Sequence, residues 1–223
     1  MNTRPIFDKY LSKDGVILEA GCGTGYLVEV LRKRNYKVIG IDYEEKVIDY
    51  AREKYPKGDF QVGDINSLKF ANSSIETYIS LGVLEHFEFG CDKALKEALR
   101  VLCDDGTALI SVPYLNKARK KFLEQEATVY KDVEKYKFYQ YYYSENDFKK
   151  LLETNGFKVL DCYPLFPFHF LKREHPGFRN LWQHWLMRHR IRNFINRNAE
   201  SMPNKWLRGY AHMLMYICKK NKL

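Results

Sequence analysis

The feature that most constrains the fold is a glycine-rich loop between an apolar run and a helix. Residues Val16–Leu27 read VILEAGCGTGYL, with three glycines at alternate positions. Glycine accepts positive φ and has no Cβ, so the backbone can turn sharply and approach a ligand closely. The free amides of the next helix, predicted over 26–34, favour an anionic group. The pattern predicts a strand, a ligand loop and a helix, and a turn without a ligand is the alternative.

Further strands and helices alternate along the chain. The predicted strands are Lys37–Asp42, Asp59–Val62, Thr77–Leu81, Thr107–Pro113, Phe157–Tyr163 and Ala211–Cys218. The predicted helices are Glu44–Lys54, Lys93–Leu102 and Asp147–Thr154, and Asp104-Asp105-Gly106 is predicted to form a turn. Right-handed crossovers then place helices on both faces of a parallel sheet, with a ligand crevice at the carboxyl ends of the strands.

Leu18–Gly25 resembles the first motif of the class I S-adenosylmethionine-dependent methyltransferases. Within that class the chain resembles the type 11 (quinone-biosynthesis-like) group. The resemblance covers roughly Val16–Tyr163. The dinucleotide-binding fingerprint Gly-x-Gly-x-x-Gly would place its third glycine at position 26, where this chain has Tyr26. The resemblance implies an α/β fold with a doubly wound, Rossmann-like, seven-stranded sheet. It also implies that the last strand is antiparallel and lies between the fifth and sixth. The implied activity is methyl transfer, with S-adenosylmethionine as cofactor and S-adenosylhomocysteine as product.

The same resemblance implies a set of cofactor-binding residues. They are Glu19, Gly21, Gly23, Gly25, Asp42, Tyr43, Asp64, Ile65 and Leu81. A carboxylate at the end of the second strand can accept both hydroxyls of a ribose, as in related dinucleotide-binding folds. Asp42 then matches the ribose ligand, Tyr43 lies next to the adenine, and Asp64 accepts from the adenine amino group. The alternatives are that Asp42 is the N-cap of the next helix and that Asp64 is a turn residue.

The fourth strand leads into Gly82–Phe87, where methyltransferases place residues between cofactor and substrate. His86 is the candidate general base, because a histidine titrates near neutral pH and could take a hydroxyl proton. The alternative is that His86 caps a turn or packs on the cofactor, while Glu85 is a structural neighbour. The five other histidines are read as structural or interface residues, and no metal site is predicted. They are His169, His175, His184, His189 and His212.

The absence of certain motifs narrows the range of possible methyl acceptors. The chain has neither the Asn/Asp-Pro-Pro-Tyr/Phe of enzymes that methylate amino groups of bases nor a Pro-Cys nucleophile for cytosine carbon, and a catechol-type magnesium site is not evident. The acceptor is therefore predicted to be a small molecule or a lipid- or sugar-linked one, methylated on oxygen, nitrogen or carbon. An RNA methyltransferase is one alternative, and a catalytically silent S-adenosylmethionine-binding subunit is the other.

Two long connections do not match the family, and both are predicted to form a substrate lid on a single domain spanning residues 1–223. The first, Tyr114–Tyr143, is rich in tyrosine, and the second, Pro164–Tyr210, interleaves aromatic residues with arginines. Residues 165–223 hold 12 Lys and Arg but only two acids, although the net charge of the whole chain is +9. This composition suits an anionic amphiphile or peripheral membrane contact, and less so nucleic acid. The alternative is a helical cap that fills the core or a dimer seam, and the oligomeric state stays open.

The five scattered cysteines form no Cys-x-x-Cys pair and predict neither a disulfide framework nor a zinc cluster. No stretch has the length and apolar character of a signal h-region or a membrane span. These features predict a cytoplasmic location.

Overall fold

The computed structural model describes residues 3–121, 123, 138–166 and 208–221 of the 223-residue chain. Its helices are α1 (Arg4–Tyr10), α2 (Tyr26–Arg32), α3 (Glu45–Lys54), α4 (Asp92–Val101) and α5 (Glu145–Thr154). Its strands are β1 (Val16–Ala20), β2 (Lys37–Asp42), β3 (Asp59–Val62), β4 (Ile75–Leu81), β5 (Leu102–Pro113), β6 (Phe157–Leu165) and β7 (Met213–Lys220). A 3₁₀ turn, Leu84–His86, follows β4, and residues 117–121 are also helical.

The strands form one seven-stranded sheet in the order β3-β2-β1-β4-β5-β7-β6. The first five strands pair in parallel, and β7 is antiparallel to both β5 and β6. This confirms the predicted fold, including the antiparallel last strand between the fifth and sixth. The chain order reverses between β1 and β4, which is the switch point where open α/β sheets bind ligands.

The hydrophobic core lies on both faces of the sheet, because the side chains of a strand alternate between its faces. Leu18 of β1 packs in the cluster that contains buried residues of α4 and α5. Its neighbour Ile17 packs in the cluster that contains buried residues of α1, α2 and α3. The helices therefore cover both faces, and the carboxyl ends of the parallel strands are left for the loops.

The predicted turn Asp104-Asp105-Gly106 is wrong. β5 begins at Leu102, directly after α4, and continues through these residues to Pro113. Leu102 is fully buried and pairs with Ile75, and a register irregularity follows between Ile75 and Thr77. Leu102 and Thr107 both pair with β4, so the polar segment between them forms an irregularity within β5 instead of a break.

Two other predicted elements are shifted by two residues. α5 begins at Glu145 because Ser144 is its N-cap, and the Ser144 Oγ accepts a hydrogen bond of 3.2 Å from the Asp147 amide. β7 runs from Met213 to Lys220 rather than over Ala211–Cys218, because its pairing with β6 extends to Lys220.

Much of the predicted lid falls outside the described residues, namely 122, 124–137 and 167–207. The lid and the single-domain assignment stay predictions. Among the residues that are described, no helix is long and apolar enough to cross a membrane.

Candidate functional site

A cavity of about 680 Å³ opens at the carboxyl edge of the sheet, at the switch point. This volume lies in the range typical of small-molecule and cofactor sites. It is lined by Gly21, Gly23, Asp42, Tyr43, Gly63, Asp64, Ile65, Gly82, Val83, His86 and Phe87. The loops after β1, β2, β3 and β4 therefore all contribute to one cavity.

Seven of the ten predicted site residues line this cavity, and Glu19, Gly25 and Leu81 do not. It is also lined by Gly82, Val83 and Phe87, which belong to the segment Gly82–Phe87 that the resemblance places between cofactor and substrate, and by Gly63, which was not predicted. Gly63 directly follows β3, so its position after a strand end was the signal that could have identified it.

Gly23 and Gly25 of the glycine loop have different surroundings, one open and one packed. Gly23 has φ +50°, and a Cβ built on it would meet nothing within 4 Å. Gly25 has φ +75°, and a Cβ there would lie 2.5 Å from the Phe60 ring. Gly23 thus leaves room for a ligand, whereas Gly25 is required by packing beneath α2.

Asp42 is held by the backbone through both carboxylate oxygens. Oδ2 accepts a hydrogen bond of 2.9 Å from the Gly23 amide, and Oδ1 accepts one of 3.1 Å from the Glu44 amide. The N-cap of α3 is Glu44, so the alternative of Asp42 as N-cap is wrong, although Asp42 does bind the amide of the residue that caps the helix. Each carboxylate oxygen has a second lone pair, so Asp42 can still accept hydroxyl groups.

Asp64 is a turn residue, which was the alternative to its role as an adenine ligand. Its Oδ1 accepts from the Asn66 amide at 2.8 Å and from Asn66 Nδ2 at 3.0 Å. It also lines the cavity beside the buried Ile65. The turn therefore fixes the carboxylate at the cavity, and the two interpretations are compatible.

Glu19 is buried behind the glycine loop, with 6% of its surface exposed. Burial raises its pKa to about 8, the charge of Asp42 adds to this, and interaction with the Val28 amide opposes it. Its Oε2 has no hydrogen-bond partner in the described part of the chain. A carboxyl in this state is stable only when it is protonated or gains a partner.

His86 is exposed at the opposite side of the cavity from the β2 and β3 loops, on the turn Leu84–His86. Its Nδ1 lies 2.8 Å from the carbonyl oxygen of Tyr139, and the two rings are edge to face with centroids 5.3 Å apart. A carbonyl can only accept, so Nδ1 carries the proton and Nε2 of the neutral ring keeps its lone pair. The geometry therefore presents a histidine that can accept a proton at Nε2.

Segment Phe138–Tyr143 is held against the loop after β4. The Tyr141 amide donates to the Glu85 carbonyl at 2.9 Å, and the Tyr141 hydroxyl donates to the Glu88 carbonyl at 2.7 Å. Tyr139 is 74% exposed and Phe89, in the loop next to it, is 97% exposed. Exposed aromatic side chains thus lie next to the His86 side of the cavity.

Of the remaining histidines the structure describes His212, which is not among the residues that line the cavity. The Nδ1 of His212 lies 2.9 Å from Arg119, and its carbonyl also accepts from Arg119, so it has a structural role as predicted. His169, His175, His184 and His189 lie outside the described residues. Within residues 3–121, 123, 138–166 and 208–221, no group of three or more His, Cys, Asp or Glu could hold a metal ion.

Comparisons with known proteins agree on one family. Residues 18–110 match the family described as "Methyltransferase domain". A protein of Mycolicibacterium smegmatis named "Probable S-adenosylmethionine-dependent methyltransferase" is 31% identical over 152 residues, covering 67% of this chain and 54% of its own. A "Putative methyltransferase" of Encephalitozoon cuniculi is 30% identical over 171 residues, covering 71% of this chain and 78% of its own. This chain therefore spans about half of the first relative and most of the second.

The fold is also found in solved structures. A crystal structure of an S-adenosylmethionine-dependent methyltransferase from Methanosarcina mazei superposes with a TM-score of 0.67 at 18% identity, covering 97% of each chain. At this identity the likeness concerns the fold alone.

Proposed function

Because the chain belongs to the S-adenosylmethionine-dependent methyltransferases, we propose that it transfers the methyl group of that cofactor to a small-molecule or lipid- or sugar-linked acceptor. The acceptor atom is an oxygen, nitrogen or carbon. The observation that carries the proposal is the shared cavity, which has acids from the loops after β2 and β3 on one side and His86 on the other.

Family membership confirms the cofactor that the sequence predicted, S-adenosylmethionine. The residues that fit it are those of the first three loops. Gly23 leaves open space at the loop, and Asp42 can accept hydrogen bonds from ribose hydroxyls. Tyr43 and Asp64 line the cavity, where they would contact the adenine. The cofactor supplies a methyl group on a sulfonium, which is transferred by direct displacement. The chain's own tasks are to orient the two reactants and to handle the acceptor's proton.

His86 is the proposed proton acceptor. The hydrogen bond of Nδ1 to the Tyr139 carbonyl leaves the lone pair of the neutral ring on Nε2. When the acceptor is a hydroxyl, Nε2 of His86 would take its proton. A nitrogen acceptor places less demand on the base, because a neutral amine attacks through its own lone pair, and positioning then dominates.

The surface beside His86 supports an acceptor with an apolar body. Tyr139 and Phe89 expose their rings there, and the backbone carbonyls of Glu85 and Glu88 and the Tyr139 carbonyl are already occupied by hydrogen bonds. Glu88 is exposed in the same loop and would repel a phosphate backbone. These features favour a small or lipid-like acceptor over RNA.

The test is incubation of the protein with S-adenosylmethionine labelled in the methyl group and with separated lipid, small-molecule and RNA fractions of a cell extract. We expect label in the lipid or small-molecule fraction, and less label with Asp42→Ala at limiting cofactor. Label confined to RNA, with binding that weakens steeply as salt rises, would overturn the acceptor class. Cofactor binding without label in any fraction would instead identify a catalytically silent subunit.

A further inference from the structure

The carboxyl of Glu85 is buried directly behind the cavity wall. Its side chain is 3% exposed, and Oε2 has no hydrogen-bond partner among the residues the structure describes. A Cβ built on Gly82 would lie 3.4 Å from Glu85 Oε1 and 3.2 Å from Cε of Met213. Gly82 lines the cavity, so the carboxyl of Glu85 lies next to a residue of the cavity wall.

Among the residues that the structure describes, the surroundings of Glu85 offer little to neutralise a negative charge. The titratable groups that interact with it are His86 on the same turn, Cys91 before α4 and Tyr143 on the segment Phe138–Tyr143. Burial raises the pKa of Cys91 to about 12 and also raises the pKa of Tyr143, so both are uncharged near pH 7. The nearby Asp92 is an acid, and it acts on both of them. Met213, from β7, is apolar.

Glu85 is consequently close to its own titration point in neutral solution. Burial raises its pKa to about 7, and interactions with its own amide and with His86 lower it in part. An ionised carboxylate in this position lacks hydrogen bonds at Oε2, and such a group recruits water or moves its surroundings.

The backbone around Glu85 joins the turn Leu84–His86 to the segment Phe138–Tyr143. The Glu85 carbonyl accepts from the Tyr141 amide, and the next residue, His86, donates from Nδ1 to the Tyr139 carbonyl. Both hydrogen bonds are thus made by Glu85 itself or by the residue that follows it. The second of them fixes the ring of the proposed base.

We propose that Glu85 is a positioning residue for His86. Its uncharged carboxyl packs beneath the turn and keeps the turn hydrogen-bonded to the segment Phe138–Tyr143. Loss of its proton releases this contact, so that His86 is no longer held in one tautomer. Protonation of Glu85 thus keeps the His86 side of the cavity ordered. The Asp42 side does not depend on it.

Two NMR readouts on the full chain test this without any methyl acceptor. The first is hydrogen exchange of the Tyr141 amide, corrected for the intrinsic pH dependence, and the second is the tautomer of neutral His86 at pH 8.5. In the wild type we expect protection of Tyr141 to fall at least tenfold between pH 6 and pH 8.5 and both tautomers to be present at pH 8.5. In Glu85→Gln, which keeps the shape of the uncharged acid, protection should persist and the Nδ1–H tautomer should remain.

Glu88→Gln is the matched control, because Glu88 is exposed in the same loop, and it should behave as the wild type. Identical pH profiles for the wild type and Glu85→Gln would overturn the proposal. A ¹³C titration of the Glu85 carboxyl in the unaltered chain gives a test that needs no variant, since a midpoint near 4.5 would also overturn it. The effect of Glu85 on catalysis rests on the proposed role of His86 as the base. The NMR measurements do not depend on turnover, so they test the positioning role separately.

Discussion

The amide of Gly23 donates a hydrogen bond of 2.9 Å to Oδ2 of Asp42, which joins the loop after β1 to the carboxyl end of β2. The other oxygen of Asp42 accepts from the amide of Glu44, at the start of α3. One carboxylate thus fixes two of the loops that form the cavity. Any loss of Asp42 is expected to affect both a proposed ligand contact and the shape of the glycine loop.

Gly23→Ala and Gly25→Ala should separate binding from folding. Both have positive φ, which costs an alanine about 1–2 kcal/mol. A Cβ at Gly23 meets only open space in the cavity, so this variant should fold but bind S-adenosylmethionine at least tenfold more weakly. A Cβ at Gly25 meets the Phe60 ring, which should cost about 1–3 kcal/mol more.

Chemical denaturation and calorimetry on the two variants measure these effects. Unchanged cofactor affinity in a folded Gly23→Ala would mean that the open space is not the cofactor's. Equal stability of the two variants would contradict the packing role of Gly25.

His86→Gln should leave cofactor affinity within about twofold of the wild type and lower turnover on the order of 10²-fold for a hydroxyl acceptor, because glutamine cannot act as a base. Tyr139→Phe is the control, since it keeps both the carbonyl that binds Nδ1 and the ring that packs on His86. Single-turnover assays with the acceptor found in the extract measure the effect. Full turnover of His86→Gln would eliminate the base role and leave catalysis by positioning.

Glu19 should make stability depend on pH. Its folded-state pKa is raised to about 8, above the ordinary 4.5, because the carboxyl is buried. The protonated group contributes stability that is fully present below about pH 4.5 and is lost as pH rises towards 8. Across this window Glu19 should lower the free energy of unfolding by on the order of a few kcal/mol.

Urea denaturation of the wild type and Glu19→Gln between pH 4.5 and 8.5 measures this contribution. The difference between them should grow in favour of Glu19→Gln as pH rises. Parallel curves would show that Glu19 already has an ordinary pKa in the folded chain.

The strand ends were predictable from sequence because two independent signals coincide there. β2 and Asp42, for example, combine a β-branched apolar run with an acid at its end, and the structure has the strand at the predicted bounds. The meeting of His86 with the carbonyl of Tyr139 could not be predicted. The two residues are 53 positions apart, and a backbone carbonyl leaves no trace in the residue type. Likewise nothing local to Gly25 indicates that Phe60 packs on it.

The central claim, that the cavity between the β1 to β4 loops binds S-adenosylmethionine through Asp42, is tested most directly by titration calorimetry with S-adenosylhomocysteine. The measurement compares the wild type, Asp42→Ala, and Asp49→Ala, which removes an exposed acid of α3 that is not among the cavity-lining residues. We expect one site per chain, unchanged affinity in Asp49→Ala, and a loss of about ten- to a hundredfold in Asp42→Ala, as charged hydrogen bonds contribute about 1.5–3 kcal/mol. Equal affinity in all three proteins, or no binding to the wild type, would contradict the account.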